Sequence, residues 1–327
     1  MKKERIVYID YLKVIGLLLV ILAHVNCPKF IMQIRSFDVP LLVVLSGYLA
    51  SKTYRKSNDI EYYRKRIQRL AFPAWIFLLV FWFVQSLAYA KPSFVDMLKA
   101  ITFQRDANMV GMLWIIWVYL VCALLIPFID RIGYSYKNNI IIALIFVIYE
   151  FLCMMTKLSA NRFAYITLFT VIPWGVLTYL GFYYEHITKK QKKSIVITSL
   201  LIFIVSAVSL YMLKGKYIST NDFKYPARLY YFSYAIPMTI VCIEFIKKIR
   251  LKSNLLINFI SSSSLWIYLW HILVLYVVKS IIVNDKLWIL QYLAVLIISI
   301  IIAYIQNIVI KFLIDKYKMT FLKVFLG

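Results

Sequence analysis

The chain has 327 residues, of which 63% are hydrophobic and 16% charged, with a formal net charge of +24. A soluble domain carries about a quarter charged residues. The Lys and Arg residues here fall in short clusters between apolar blocks, a placement that fits membrane-flanking loops and excludes a nucleic-acid-binding globule. The apolar blocks run to roughly 18 to 22 residues, enough to cross ~30 Å of hydrocarbon as helices. They lack the alternation of barrel strands, so the fold class is all-α, a polytopic membrane bundle.

In chain order, ten membrane helices are predicted, at 10–26, 38–53, 71–90, 111–129, 138–156, 164–184, 194–213, 229–246, 263–283 and 287–310. The longest gaps, 54–70 and 91–110, are too short to bury a core of their own, so residues 1–327 read as one integral membrane domain. Lys2, Lys3 and Arg5 ahead of an apolar run resemble a signal peptide. Asp10 and Lys13 interrupt that run, however, and no small-x-small site follows it. Val25-Asn26 before Cys27 is a poor lipoprotein processing site, so the segment is kept as the first membrane helix. With the N-terminus inside, 24 Lys and Arg residues fall to inner loops and 13 to outer ones. This bias predicts both termini on the cytoplasmic side of a multi-pass protein in a bacterial cytoplasmic membrane. Cys27, Cys122, Cys153 and Cys242 show no CxxC spacing and read as packing residues, with no metal site implied.

An ionisable residue inside a membrane helix is a functional candidate by default. The first helix holds three: Asp10, Lys13 and His24. Lys13 and His24 are 11 residues apart, close to three full turns, so they share a face about 16 Å apart along the axis. Asp10 sits one turn below Lys13, within reach of pairing. An imidazole suits proton removal from an alcohol near neutral pH. A cation lower on the same face suits the phosphates of an acyl donor with a long arm. Arg66 and Arg69, at i and i+3, place two guanidinium forks on one face if their segment is helical. In the ninth helix Ser264, Tyr268 and His271 share a face, and a buried histidine needs a hydrogen-bonding partner. Glu150 is a deep charge in the fifth helix that could orient an imidazole or pair with a cation. His186 and the neighbouring lysines read as a solvated loop. Asp38 and Pro40 mark the opening of the second helix, and Gly47 within it permits close helix approach.

At this point the residues match a known family. Tyr8-Ile9-Asp10-Tyr11-Leu12-Lys13 through Ala23-His24 resembles the opening helix of the acyltransferase-3 family of membrane acyltransferases. So do Val39-Pro40-Leu41 through Ser46-Gly47-Tyr48, Arg66-Ile67-Gln68-Arg69 before Pro73, and Ser264 to His271. These patches stand in the family's order and spacing, and the resemblance covers nearly the whole chain. It implies transfer of an acyl group, usually acetyl from acetyl-CoA, to a hydroxyl of a cell-surface or secreted glycan. It also implies that His24 is the family's essential histidine and that Arg66 and Arg69 are its paired arginines. Many relatives carry Arg where Lys13 stands; Lys keeps the charge without the bidentate fork. Met112-Leu113-Trp114 departs from relatives that have His or Asn before Leu-Trp, and Trp114 is assigned no catalytic role. Some relatives carry a C-terminal extracytoplasmic esterase-like domain that these 327 residues do not contain. The acceptor is therefore expected to meet the membrane domain itself or a separate partner.

The reading is a membrane-bound O-acyltransferase. Acyl-CoA docks from the cytoplasm with its phosphates at Arg66, Arg69 and Lys13, and no cofactor is permanently bound. His24 serves as base or transient acyl carrier, supported by Asp10, Glu150, Tyr268 and His271. The expected partners are acyl-CoA, a glycan or lipid-linked sugar acceptor and the lipid bilayer. The alternative is a transporter or flippase for a polysaccharide intermediate, since ten helices with buried charges also suit a transport path. Against it stands the lack of matched, Gly/Pro-broken helices in two halves.

Overall fold

A computed structural model describes residues 6–54, 58–88, 91–155, 164 and 167–326. The basic residues Lys2, Lys3, Arg5, Arg55, Lys56, Lys157 and Arg162 of the topology count, and the ends of three predicted helices, lie outside the described residues. Those described are helical, with no β-strand among them.

The long helices follow the predicted order: α1 (Val7–Leu22), α3 (Asp38–Thr53), α4 (Asp59–Ala88), α6 (Trp114–Ile132), α7 (Tyr136–Met155), α8 (Leu168–Phe182), α9 (Lys189–Lys214), α10 (Leu229–Lys248), α12 (Ser264–Ile281) and α13 (Trp288–Tyr317). Three short helices, α2 (Lys29–Ile34), α5 (Phe94–Ile101) and α11 (Leu255–Ser262), complete the set. Eight helical segments among the described residues are long and apolar enough to cross a membrane. By contrast, α1 and α8, of 16 and 15 residues, reach only about 24 and 23 Å.

Two boundaries differ from the sequence reading in ways that matter. The first helix ends at Leu22 instead of continuing to residue 26, so His24 lies in the turn beyond it. The turn tightens as the His24 N–H bonds to the Ile21 carbonyl at 3.0 Å, and Pro28 cannot extend a helix. The basic stretch taken as the loop 54–70 is helical from Asp59 and forms the first three turns of α4. Lys65 is paired with Glu61 one turn away, the i, i+4 arrangement that supports such a start.

The chain forms two compact units: Met1–Pro28, Ile60–Leu120 and Leu251–Gly327 make one, Lys29–Asp59 and Val121–Arg250 the other. In the first, α1 packs on α11, α12 and α13, and α12 lies along α13. In the second, α3 and α8 form the tightest pair, with α10 against α3 and α9. No residue of α9 is buried; Leu201 and Val205 are 57% and 64% exposed, as befits an apolar helix bathed in hydrocarbon.

The α3–α8 contact explains Gly47. A methyl on Gly47 would stand 2.5 Å from the Thr178 carbonyl oxygen, and one on Gly181 2.1 Å from that of Val44. Small residues let two backbones approach this closely. Gly181→Ala should therefore destabilise the detergent-solubilised protein by about 1–3 kcal/mol, read as a lowered thermal unfolding midpoint. Gly175→Ala, which meets only the flexible Leu125 Cδ1 at 3.0 Å, should change it much less.

Candidate functional site

The first unit gathers most of the sequence-predicted site residues. At one end Asp10, 6% exposed, accepts a hydrogen bond from Ser261 Oγ. This ties the start of α1 to the last turn of α11. At the other end the His24 ring meets that of His271, centroids 5.3 Å apart and planes tilted by 34°. These two contacts make α1 run parallel to the α11–α12 segment. Helix α4 runs the same way: Phe77 meets Trp270 edge-on at 6.0 Å and Phe81 meets Tyr276 at 6.1 Å.

The common direction fixes where the cations stand. Lys13 lies nine residues before Leu22, the last residue of α1, about 13 Å down the axis from the turn that carries His24. Arg66 lies 11 residues before Phe77, which packs beside His271's neighbour Trp270, and so about 16 Å down. Arg69 is one turn nearer, about 12 Å from Phe77. The three cations therefore sit toward the Asp10–Ser261 end and the two imidazoles toward the other. Arg66 lies over the Tyr62 ring at 5.0 Å, and neither Arg66 nor Arg69 is ion-paired among the described residues. Glu61, the nearest carboxylate in sequence, is held by Lys65. Two guanidinium groups one turn apart with no carboxylate partner suit the oxygens of a phosphate.

His271 is fully buried in α12. Its Nδ1 bonds the carbonyl of Tyr268 one turn earlier, which a neutral ring does only with the proton on Nδ1. Nε2 then carries a lone pair, and it is buried with no hydrogen-bond partner. Tyr268 is among the residues expected to support His24. Its ring packs 4.8 Å from His271, while its hydroxyl donates to the Met112 carbonyl and ties α12 to the turn before α6. Ser264, predicted on the same face, begins α12, one residue after the predicted start at 263, and Ser263 separates it from α11.

Sequence reading missed the polar stripe of α13. Its buried residues are Gln291, Val295, Ser299, Ala303, Asn307 and Ile310, the first five at every fourth position. Asn307 Nδ2 donates to Ser263 Oγ at 3.1 Å, and Gln306 Oε1 accepts from Trp270 Nε1 at 2.6 Å. These bonds lock the break between α11 and α12 and the residue next to His271. Small or polar residues recurring at i+4 in an otherwise apolar helix were the available signal.

Glu150 belongs to the second unit. Its Oε1 accepts from Arg228 Nε at 3.0 Å and lies 2.8 Å from Nη2, and its Oε2 accepts from the Leu229 N–H at 2.9 Å. A carboxylate on the first N–H of α10 satisfies a donor the helix itself cannot. Both oxygens are thus engaged in holding the α7–α10 contact. The four cysteines are free thiols, two buried and two half-buried. Among the described residues, no three His, Cys, Asp or Glu side chains are grouped to hold a metal.

A family model described as an acyltransferase domain matches residues 6–307. No curated protein and no solved structure matches the chain.

Glu150→Ala should lower stability by about 3 kcal/mol, because it strands a largely buried Arg228. Activity per folded molecule should stay near wild type. A fall in turnover at unchanged unfolding midpoint would give Glu150 a role in the chemistry.

Proposed function

The chain belongs to the acyltransferase-3 family, the match covering most of its length, and from that membership we propose a membrane-bound O-acyltransferase. It moves an acyl group, acetyl in the first instance, from acyl-CoA to a hydroxyl of a cell-surface or exported polysaccharide. The supporting observation is the pairing of His24 with His271 at 5.3 Å, at the far end of helices whose near ends carry Lys13, Arg66 and Arg69. Positive charge and imidazole are separated as the two ends of an acyl-CoA are, with phosphates at one end and the thioester at the other.

In this reading Arg66 and Arg69 hold the donor's phosphates, with Lys13 adding charge on the same side. The thioester reaches the imidazoles along the intervening 16 Å or so. His24, half-buried and beyond the helix end, is the ring placed to meet an acceptor hydroxyl. In direct transfer a ring nitrogen of His24 takes the hydroxyl proton as the oxygen attacks the thioester carbonyl. The tetrahedral intermediate expels the thiolate, which takes the proton back. In the covalent variant the imidazole nitrogen attacks first and expels the thiolate, which takes the ring N–H proton; the hydroxyl then attacks the acyl-imidazole, and its proton goes to the departing ring nitrogen. His271 stands behind His24 with its tautomer fixed by Tyr268, and holds the first ring in place. Asp10 sits a turn below Lys13, where its bond to Ser261 keeps α1 in register with α12.

Purified protein given labelled acetyl-CoA and a polysaccharide acceptor should transfer label, and His24→Ala should abolish transfer while the protein stays folded in the membrane. His271→Asn should cut kcat by about 10²–10³. Arg66→Ala and Arg69→Ala should each raise the KM for acetyl-CoA by about tenfold, one charge-assisted hydrogen bond apiece, with kcat nearly kept. Wild-type transfer by His24→Ala sinks the proposal. Labelled protein trapped by acid quench in wild type, and lost in His24→Ala, selects the covalent variant.

A further inference from the structure

Between α4, α12 and the turn before α6, the first unit holds a cavity that the chemistry at the imidazoles does not use. Its volume is about 170 Å³. Phe81, Val84, Leu273 and Val277 line its length, and Gln85 and Ser280 stand toward one end. The Tyr276 hydroxyl donates to the Met109 carbonyl at 2.6 Å and fixes the wall on the α6 side. At about 100° per residue, Leu273, Tyr276, Val277 and Ser280 share the face of α12 opposite His271. The cavity is therefore not where an acyl group meets the imidazoles. It opens sideways as a groove, since Val277 and Ser280 are exposed, and the neighbouring Leu87 and Ile281 are exposed apolar residues that face lipid chains in a bilayer.

The groove changes character along its length. Its Phe81–Leu273 end is apolar. At the other end a second cavity of about 10 Å³, room for one water, adjoins it through Phe81, Gln85 and Met109 and is edged by Asp96 and Asn108. Ser280 Oγ donates to the Val277 carbonyl at 2.8 Å and keeps its lone pairs for an incoming donor. Asp96 brings a carboxylate, an acceptor only, with Oδ2 taking the Ser93 hydroxyl at 2.7 Å. No Lys or Arg lines either cavity among the described residues. In the predicted topology α4 and α12 run outward, so the apolar end points to the middle of the bilayer and the polar end to its outer face. That is the orientation of an outer-leaflet lipid. A lipid chain entering the groove trades hydrocarbon for hydrocarbon and gains little, so the polar end selects the occupant. Acceptor groups and a negative charge repel a phosphate and receive hydroxyls.

We infer that this groove docks a lipid-anchored saccharide, with the chain between α4 and α12 and an uncharged first sugar resting at its mouth against Gln85, Asp96, Asn108 and Ser280. The inference rests on the reading above, in which the docked lipid is the anchored form of the glycan acceptor. Gln85 and Ser280 stand eight and nine residues outward of Phe77 and His271, about 12 and 14 Å along the helices. The hydroxyl that is acylated therefore belongs to a sugar farther along the glycan than the docked one.

The test places the full-length protein in nanodiscs of phosphatidylglycerol with glucosyldiacylglycerol as a minor lipid, and reads by native mass spectrometry which lipid the released protein retains. Wild type should keep one glucosyldiacylglycerol, enriched about tenfold over its share of the bilayer, the size of one or two neutral hydrogen bonds. Val277→Trp, which fills the groove from its exposed side, should lose the retained lipid. Asn108→Lys, which sets a cation at the polar end, should lose the enrichment and keep phosphatidylglycerol instead. Retention in proportion to the bilayer, a wild-type preference for phosphatidylglycerol, or undiminished enrichment in Asn108→Lys would overturn the docking site, whether or not Val277→Trp folds. Transfer from labelled acetyl-CoA in the wild-type nanodiscs separates the two claims. Transfer without enrichment sinks the docking site alone, and enrichment without transfer sinks the acyl-transfer reading alone.

Discussion

A polar side chain carried into hydrocarbon finds its partner inside the protein or goes without, because no water is there to take its place. That constraint accounts for the register of the first unit. Asp10 takes the Ser261 hydroxyl, Asn307 donates to Ser263, and Gln306 accepts from Trp270. Each bond joins two helices at a fixed height. Together they bring α1, α12 and α13 to the level at which His24 and His271 meet. The few polar residues in the spans therefore act first as rivets, and the imidazole pair is what the rivets hold.

Much of this was legible in the chain. The apolar blocks gave the order of the long helices, and the i, i+3 spacing of Arg66 and Arg69 became two guanidinium groups on one helix, since α4 begins at Asp59. What periodicity missed was where a helix stops. Nothing apolar changes between Leu22 and Val25, yet the backbone turns at Ala23 ahead of Pro28, and this puts His24 outside the helix. The partners of buried charges were equally hidden. Glu150 is as deep as predicted, but Arg228, 78 residues away, claims it, and no local pattern encodes a pairing over that distance. Asp38 looked like a helix-opening residue, and it is one. Its second duty toward Arg35 and Lys224 depends on a loop more than 180 residues later in the chain.

The chemistry follows from a division of labour between charge and lone pair. Guanidinium groups keep their charge whatever surrounds them and so can hold phosphates at a membrane boundary. An imidazole offers a nitrogen that gains a proton or an acyl group. Placing the two at opposite ends of parallel helices lets one extended donor touch both. Family membership gives acyl transfer; in the proposed reading, the separation of cations from imidazoles lets a donor entering from one side of the bilayer serve an acceptor on the other.

The central claim is therefore one of placement, and a cryo-EM structure with a non-transferable thioether analogue of acetyl-CoA tests it most directly. The account predicts analogue phosphates within hydrogen-bond reach of Arg66 and Arg69, and the thioether sulfur beside the His24 ring. Phosphates bound away from the arginine pair, or an acyl end that stops short of both imidazoles, would contradict it.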